Sequence, residues 1–117
     1  MAKPFLLMFG VLLSGCTTIG YANPPPNNTT MVASWYKHGS RTANGESFDP
    51  QGMTVAHRTL PFNTILRVSH KGKSVEVRVN DRGPFINGRD IDLSEGVARK
   101  LGCGGVCTVQ VERLHRR

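Results

Sequence analysis

From Val75 to Asn80 the chain alternates, with Val75, Val77 and Val79 on one side and Glu76, Arg78 and Asn80 on the other. That period of two predicts a half-buried strand. Gly83-Pro84 breaks the backbone just beyond, which leaves Asp81 at a strand end beside a tight loop. Ile91-Asp92-Leu93 is a short apolar-acidic-apolar step. Ser94 then suits an N-cap, Glu95 a first turn and Gly102 a C′ position, so Glu95 to Leu101 reads as a short helix. Upstream, Met31 to Tyr36 predicts a first strand carrying the only tryptophan, Trp35. Residues 37–50 read as a loop, with Gly39, Asn44-Gly45 and Asp49-Pro50 as turn signals. Met53 to Ala56 predicts a short strand leading to His57, and Leu60 to Asn63 a turn. Thr64–Ser69 and Ser74–Val79 form a hairpin around Lys71-Gly72. Val106 to Leu114 is a last strand, with Cys107, Val109 and Val111 toward the core. Short strands, one or two short helices and Gly/Pro punctuation give a mainly β fold, a small barrel rather than a sandwich.

The N-terminal part does not belong to that barrel. Lys3 followed by the apolar run Pro4 to Leu13 has signal-peptide length and is too short to span a bilayer. Leu13-Ser14-Gly15-Cys16 resembles a bacterial lipobox, so residues 1–15 are expected to be removed and Cys16 to carry lipid. An ordinary signal peptide, with Cys16 incidental, is the alternative. Residues 16–30, rich in Pro, Asn and Thr, read as a tether, and residues 31–117 as the folded domain.

Composition narrows the partners. Fifteen Lys and Arg against eight Asp and Glu give a formal charge of +7. That balance fits an anionic polymer such as a cell-wall glycan, although basic exported domains are also common for solubility alone. Nucleic acid is not expected for an exported chain. Cys103 and Cys107 predict a disulfide in an oxidising envelope compartment, with two buried thiols as the alternative. No second Cys/His pair accompanies them, so neither a metal nor a cofactor is expected.

Most carboxylates have an ordinary explanation: Glu76 and Glu112 on polar strand faces, Glu95 at the helix start, Asp49 in a turn, Asp90 and Asp92 capping the helix or pairing with Arg89. Glu46, in Thr42-Ala43-Asn44-Gly45-Glu46, and Asp81 remain. Glycosidic cleavage needs a proton delivered to the leaving oxygen and a negative group near the oxocarbenium-like centre. Two loops on one side of a barrel can supply both, and the general acid must be partly desolvated. A turn aspartate bonded to its own backbone and a solvated loop glutamate are the plainer explanations. His57 either orients a carboxylate or is a structural histidine. Trp35, Tyr36, Phe48 and Phe85 either floor a sugar site or sit in the core.

Ala33-Ser34-Trp35-Tyr36, Thr42-Ala43-Asn44-Gly45-Glu46, Ala56-His57-Arg58-Thr59-Leu60-Pro61-Phe62, Val79-Asn80-Asp81-Arg82-Gly83-Pro84-Phe85 and Ile91-Asp92-Leu93-Ser94 resemble, in order and spacing, the rare lipoprotein A (RlpA) family. The resemblance implies a six-stranded double-psi β-barrel related to barwin and expansins. It implies a lytic transglycosylase that cuts the MurNAc–GlcNAc β-1,4 bond of peptidoglycan without water, leaving 1,6-anhydro ends and preferring peptide-stripped strands. Asp81 is then the general acid and later base, Glu46 a second essential carboxylate and His57 a supporting residue. Trp35, Tyr36, Thr42, Asn44, Asn80 and Arg82 become substrate-binding candidates. Lys37, Val55 and Asn63 depart from the family pattern, and no C-terminal glycan-binding repeat follows residue 117 here, so septal targeting by that route is not expected. Thr17 after Cys16 is not an inner-membrane retention aspartate, so a monomer anchored through Cys16 in the outer membrane and facing the periplasm is expected. A non-catalytic glycan-binding lipoprotein, as in expansins, is the competing expectation, and a structural envelope lipoprotein a third.

Overall fold

A computed structural model describes residues 28–114. The expected signal peptide, the expected lipidation at Cys16 and the expected tether up to residue 27 lie outside the described residues. Six strands and one short helix follow in order: β1 (Asn28–Tyr36), β2 (Thr54–His57), β3 (Ile65–His70), β4 (Lys73–Asp81), β5 (Ile91–Ser94), α1 (Glu95–Leu101) and β6 (Cys107–Leu114). The strands close into a barrel in the order β1-β5-β2-β4-β3-β6. β1 and β5 are parallel, as are β2 and β4, and the remaining neighbours are antiparallel. This is the mixed double-psi barrel that the resemblance implies.

Inward positions are filled by β-branched and aliphatic side chains. Val55, Val68, Val77, Val79, Ile91 and Leu93 are almost fully buried. The hairpin turn between β3 and β4 takes left-handed backbone at Lys71 (φ 48°) and Gly72 (φ 83°), the twist that two-residue hairpin loops require. α1 lies over β4, β5 and β1 and buries Val97, Ala98 and Leu101. The Ser94 hydroxyl accepts from the Val97 N–H at 3.2 Å and donates to the Gly52 carbonyl at 2.5 Å, so one side chain caps the helix and ties it to the preceding loop. Gly96 permits that approach: a Cβ there would stand 2.7 Å from the Gln51 carbonyl oxygen. Gly102 ends the helix in left-handed backbone, φ 74°. A disulfide joins Cys103 to Cys107 just after it, Cα to Cα 5.8 Å.

One boundary differs from the expectation. The first strand begins at Asn28, inside the segment assigned to the tether. β6 is long enough to pair with it: Asn28, Thr29 and Thr30 lie opposite Glu112, Val111 and Gln110. A polar segment with little to bury, but with two β-branched threonines, is thus held by the ladder its partner offers.

Candidate functional site

The site begins with a shift of register. β2 pairs with β4 as Thr54↔Arg78 and Val55↔Val79, but the next residue, Ala56, lies opposite Asp81. Asn80 is therefore the extra residue of a bulge, and such bulges re-aim a neighbouring side chain. Asn80 is buried, not on an open polar face. Asp81 joins a row that crosses four strands: Ser34 of β1, Asp92 of β5, Ala56 of β2 and Asp81 of β4. Their neighbours Ala33, Ile91, Leu93, Val55 and Val79 belong to the core, so alternation turns the row to the outer face of the barrel, with Ser34 and Ala56 themselves buried and Asp81 and Asp92 half-buried. Asp81 and Asp92 are two strand spacings apart, about 9–10 Å between Cα atoms, with the small Ala56 between them. Asp92 accepts a very short hydrogen bond from the Ser34 hydroxyl, and its second carboxylate oxygen has no hydrogen-bond partner among the described residues.

Three donors hold Asp81: the Tyr36 hydroxyl at 3.0 Å, the Ala43 N–H at 2.8 Å and the Arg82 N–H at 2.9 Å. Tyr36 stacks on Phe48, ring centroids 4.7 Å apart and planes within 11°. Burial, reinforced by the neighbouring Asp81 and Asp92 carboxylates, pushes the Tyr36 phenol well above its usual range, so it stays protonated as the donor.

Glu46 sits in the turn whose Ala43 amide reaches Asp81. The turn closes through Thr42 N–H to the Glu46 carbonyl (2.9 Å) and Gly45 N–H to the Thr42 carbonyl (3.0 Å), with Gly45 at φ 92°. Thr42 and Asn44 spend their side chains inside it: the Thr42 hydroxyl donates to the Asn44 amide oxygen at 2.5 Å, and both accept from the Glu46 N–H at 3.2 Å. The Glu46 carboxylate takes a two-point contact from Arg78 at 2.8 and 2.9 Å and a third donor from the Asn80 amide at 3.0 Å. These donors, Arg78 first and then Asn80, lower its pKa to about 2. Glu46 is thus neutralised from beside the site, while its turn and Asn80 connect it to Asp81.

His57 ends β2. Its Nδ1 accepts from the backbone N–H groups of Thr59 (3.1 Å) and Leu60 (3.0 Å). Burial, then the charges of Arg58 and Arg82, push its pKa below the usual range, which favours a neutral ring with the proton on Nε2. Arg82 clasps the same turn, donating to the carbonyls of His57 (3.2 Å) and Leu60 (2.8 Å), and lies 3.9 Å over the Phe62 ring. Both residues therefore fix the turn.

The aromatic residues divide. Tyr36 and Phe48 stand at the carboxylate. Trp35, one residue earlier on β1, faces the other way and shares a cavity with Ala98, Arg99 and Gly102 near α1. Nothing brings Trp35 to Asp81, because strand alternation sends consecutive side chains to opposite faces. Phe85 is 80% exposed and not a core residue. Asp92 escaped the sequence analysis, as did Arg78, the partner of Glu46. The Ile91-Asp92-Leu93 alternation does signal an outward aspartate, but only the pairing through Ala56 sets it beside Asp81. No group of three or more His, Cys, Asp or Glu able to hold a metal occurs among the described residues.

Comparison with known proteins places this geometry. Residues 28–112 match a family described as lytic transglycolase. The endolytic peptidoglycan transglycosylase RlpA of Pseudomonas aeruginosa is 54% identical over 110 residues, covering 84% of this chain and 32% of that protein. The probable endolytic peptidoglycan transglycosylase RlpA of Synechocystis is 58% identical over 76 residues, covering 61% of this chain and 24% of that protein. The chain thus spans about a quarter to a third of the length of these relatives. Among solved structures, an expansin of Clavibacter michiganensis superposes with a TM-score of 0.64 at 20% identity, over 77% of this chain and 52% of that one, a likeness of fold. The chain belongs to the lytic transglycolase family.

Proposed function

We propose that the chain is an endolytic peptidoglycan lytic transglycosylase that cuts the MurNAc–GlcNAc β-1,4 bond and leaves 1,6-anhydroMurNAc ends, with peptide-stripped strands preferred. The observation that carries this reading is the outward row in which Asp81, oriented by Tyr36 and Ala43, faces Asp92 across Ala56. Asp81 gives a proton to the glycosidic oxygen as the bond from muramyl C1 breaks. The C6 hydroxyl of the same sugar forms the new bond to C1, and its proton passes to Asp81. No water enters, and the attached nucleophile needs no second encounter. Asp92 supplies negative charge where the sugar ring becomes cationic. Glu46 and His57 act as positioning residues: Glu46 steadies the turn that donates Ala43 N–H, and His57 the turn that Arg82 clasps. Lipid on Cys16 would hold this domain at the outer membrane, facing the periplasm, as a monomer acting on glycan.

One observation favours a second reading. Glu46, the other carboxylate expected to act, is already paired with Arg78. That pairing fits a glycan-binding module without cleavage, and a mutant of the Clavibacter expansin has been solved with cellohexaose. Product analysis separates the two. Purified protein on peptide-stripped sacculi should release anhydromuramyl products detectable by mass spectrometry, and Asp81→Asn should lower that release by about 10²–10⁴-fold with the fold intact. Undiminished release by the variant would remove Asp81 from the mechanism, and sacculus binding without product from the wild type would favour the second reading.

A further inference from the structure

The nine-residue link from Asp81 to Ile91 rims the row described above and is held in place from below. The Arg58 guanidinium donates to the carbonyls of Pro84 (3.0 Å) and Arg89 (2.6 Å) and lies 3.5 Å from the Asp90 carboxylate. Asp90 also exchanges two bonds with the Val32 backbone, its N–H to the carbonyl at 2.8 Å and its carboxylate from the N–H at 2.9 Å. A loop so tied has little reason to display apolar groups, yet Phe85 is 80% and Ile86 56% exposed. The Phe85 ring folds back toward Gly83, 3.5 Å from where a side-chain carbon there would stand. Beside it is a cavity of about 430 Å³ lined by Arg58, Phe85, Asn87, Arg89 and Asp90. Arg58 and Asp90 are spent on the loop. Arg89 is half-buried, and its guanidinium has no ion pair or hydrogen bond among the described residues.

An exposed ring next to an uncommitted guanidinium matches a ligand with an apolar face and a carboxylate a few bonds away. We infer that the 83–90 loop is a subsite for a muramyl residue, with Phe85 under the pyranose ring and Arg89 on its lactyl carboxylate. The inference rests on the glycan-cleaving reading and specifies its substrate. In a muramyl residue the lactyl group ends in a free carboxylate when the stem peptide is gone and in an uncharged amide when it remains. Arg89 discriminates between the two by charge and by its two-point geometry. Phe85 is four positions after Asp81, which keeps their Cα atoms within about 14 Å, a span that a few sugar rings cover.

Binding should be measured on the full chain carrying Asp81→Asn, so that no turnover intervenes. The ligands are a GlcNAc–MurNAc tetrasaccharide with free lactyl groups and the same sugar with those groups converted to carboxamides. The free acid should bind about tenfold more tightly, the worth of one charge-assisted pair. Arg89→Gln should erase that ratio without weakening the amide, and Arg89→Lys should keep part of it. Phe85→Ala should weaken both ligands about equally. A ratio that survives Arg89→Gln, equal binding of acid and amide by the wild-type loop, or no effect of Phe85→Ala would overturn the subsite. Cleavage by Asp81→Asn would instead strike at the catalytic reading, so the two failures are distinguishable.

Discussion

Two rows of side chains cross the outside of this barrel in the same kind of strand-to-strand register. In one, Glu112 of β6 faces Arg67 of β3, which faces Glu76 of β4. The cation lies between two anions, at 2.9 and 4.0 Å, and all three side chains are 40–48% exposed. In the other, Asp92 and Asp81 flank Ala56, with no cation in the row and Ser34 at its end. The first row satisfies itself. The second sets two carboxyl groups across a small floor and orders them with hydroxyl and amide donors, an arrangement with no advantage for folding alone and a clear one for a substrate that becomes cationic. Glu46 is a carboxylate of the first kind although it stands near the second row, because Arg78 neutralises it and Asn80 donates to it.

After Asp81→Asn, the largest effect should come from neutralising Asp92. Asp92→Asn keeps the size of the side chain and an acceptor for Ser34, but removes the charge facing Asp81. Turnover should fall about a hundredfold, the scale of one well-placed electrostatic group, while glycan binding changes little. A split of this type, in kcat and not in KM, is what a merely structural role for Asp92 would fail to produce. Loss of binding with kcat intact would make the second row a sugar-holding surface.

The contrast between the rows was only partly legible in the sequence. The Val75–Val79 alternation, the Ser94 cap and the Gly102 stop depend on neighbours close in the chain, and they place β4 and α1 correctly. The bulge at Asn80 does not, because it exists only against β2, and without it Asn80 would take the outward place of Asp81. Arg78 looks like any polar-face residue until the turn 32 residues upstream brings Glu46 to it. Trp35 lies opposite Ser34 and Tyr36 by simple alternation, so the pattern already spoke against its placement at the site. His57 adjoins the site, but its Nδ1 is used by amides two and three residues ahead, a local turn that His-Arg-Thr-Leu does not announce.

A middle-sized effect tests the intermediate status of Glu46. Its pKa is depressed from 4.5 to about 2 by Arg78 and Asn80, so the pairing contributes stability in full above pH 4.5 and loses it as pH falls through about 2. Thermal melts of the wild type should therefore slope downward across that window. In Arg78→Met the slope should flatten in part, because the leading donor that lowers the folded glutamate's pKa is gone while Asn80 still donates to it. At neutral pH the same variant should lose activity severalfold, about 3–10-fold, through a loosened Ala43 contact with Asp81. An unchanged acid slope would mean that Glu46 is held by something other than the guanidinium.

The smallest effect belongs to the self-satisfied row. Arg67→Ala removes the cation between Glu112 and Glu76 and leaves two exposed carboxylates about two strand spacings apart, easily screened by water and salt. Pairs as exposed as these contribute about 0–1 kcal/mol, and part of any loss will be the arginine stem that covers the sheet. Denaturant melts should thus shift by less than about 1 kcal/mol, and less still in high salt, with glycan cleavage unchanged. The two rows share backbone geometry and differ in what lies between the anions. If removing the central cation from one altered catalysis, charge anywhere on the barrel wall would matter. If it does not, the effect of Asp92→Asn belongs to the row containing Asp81 and to no other part of the surface.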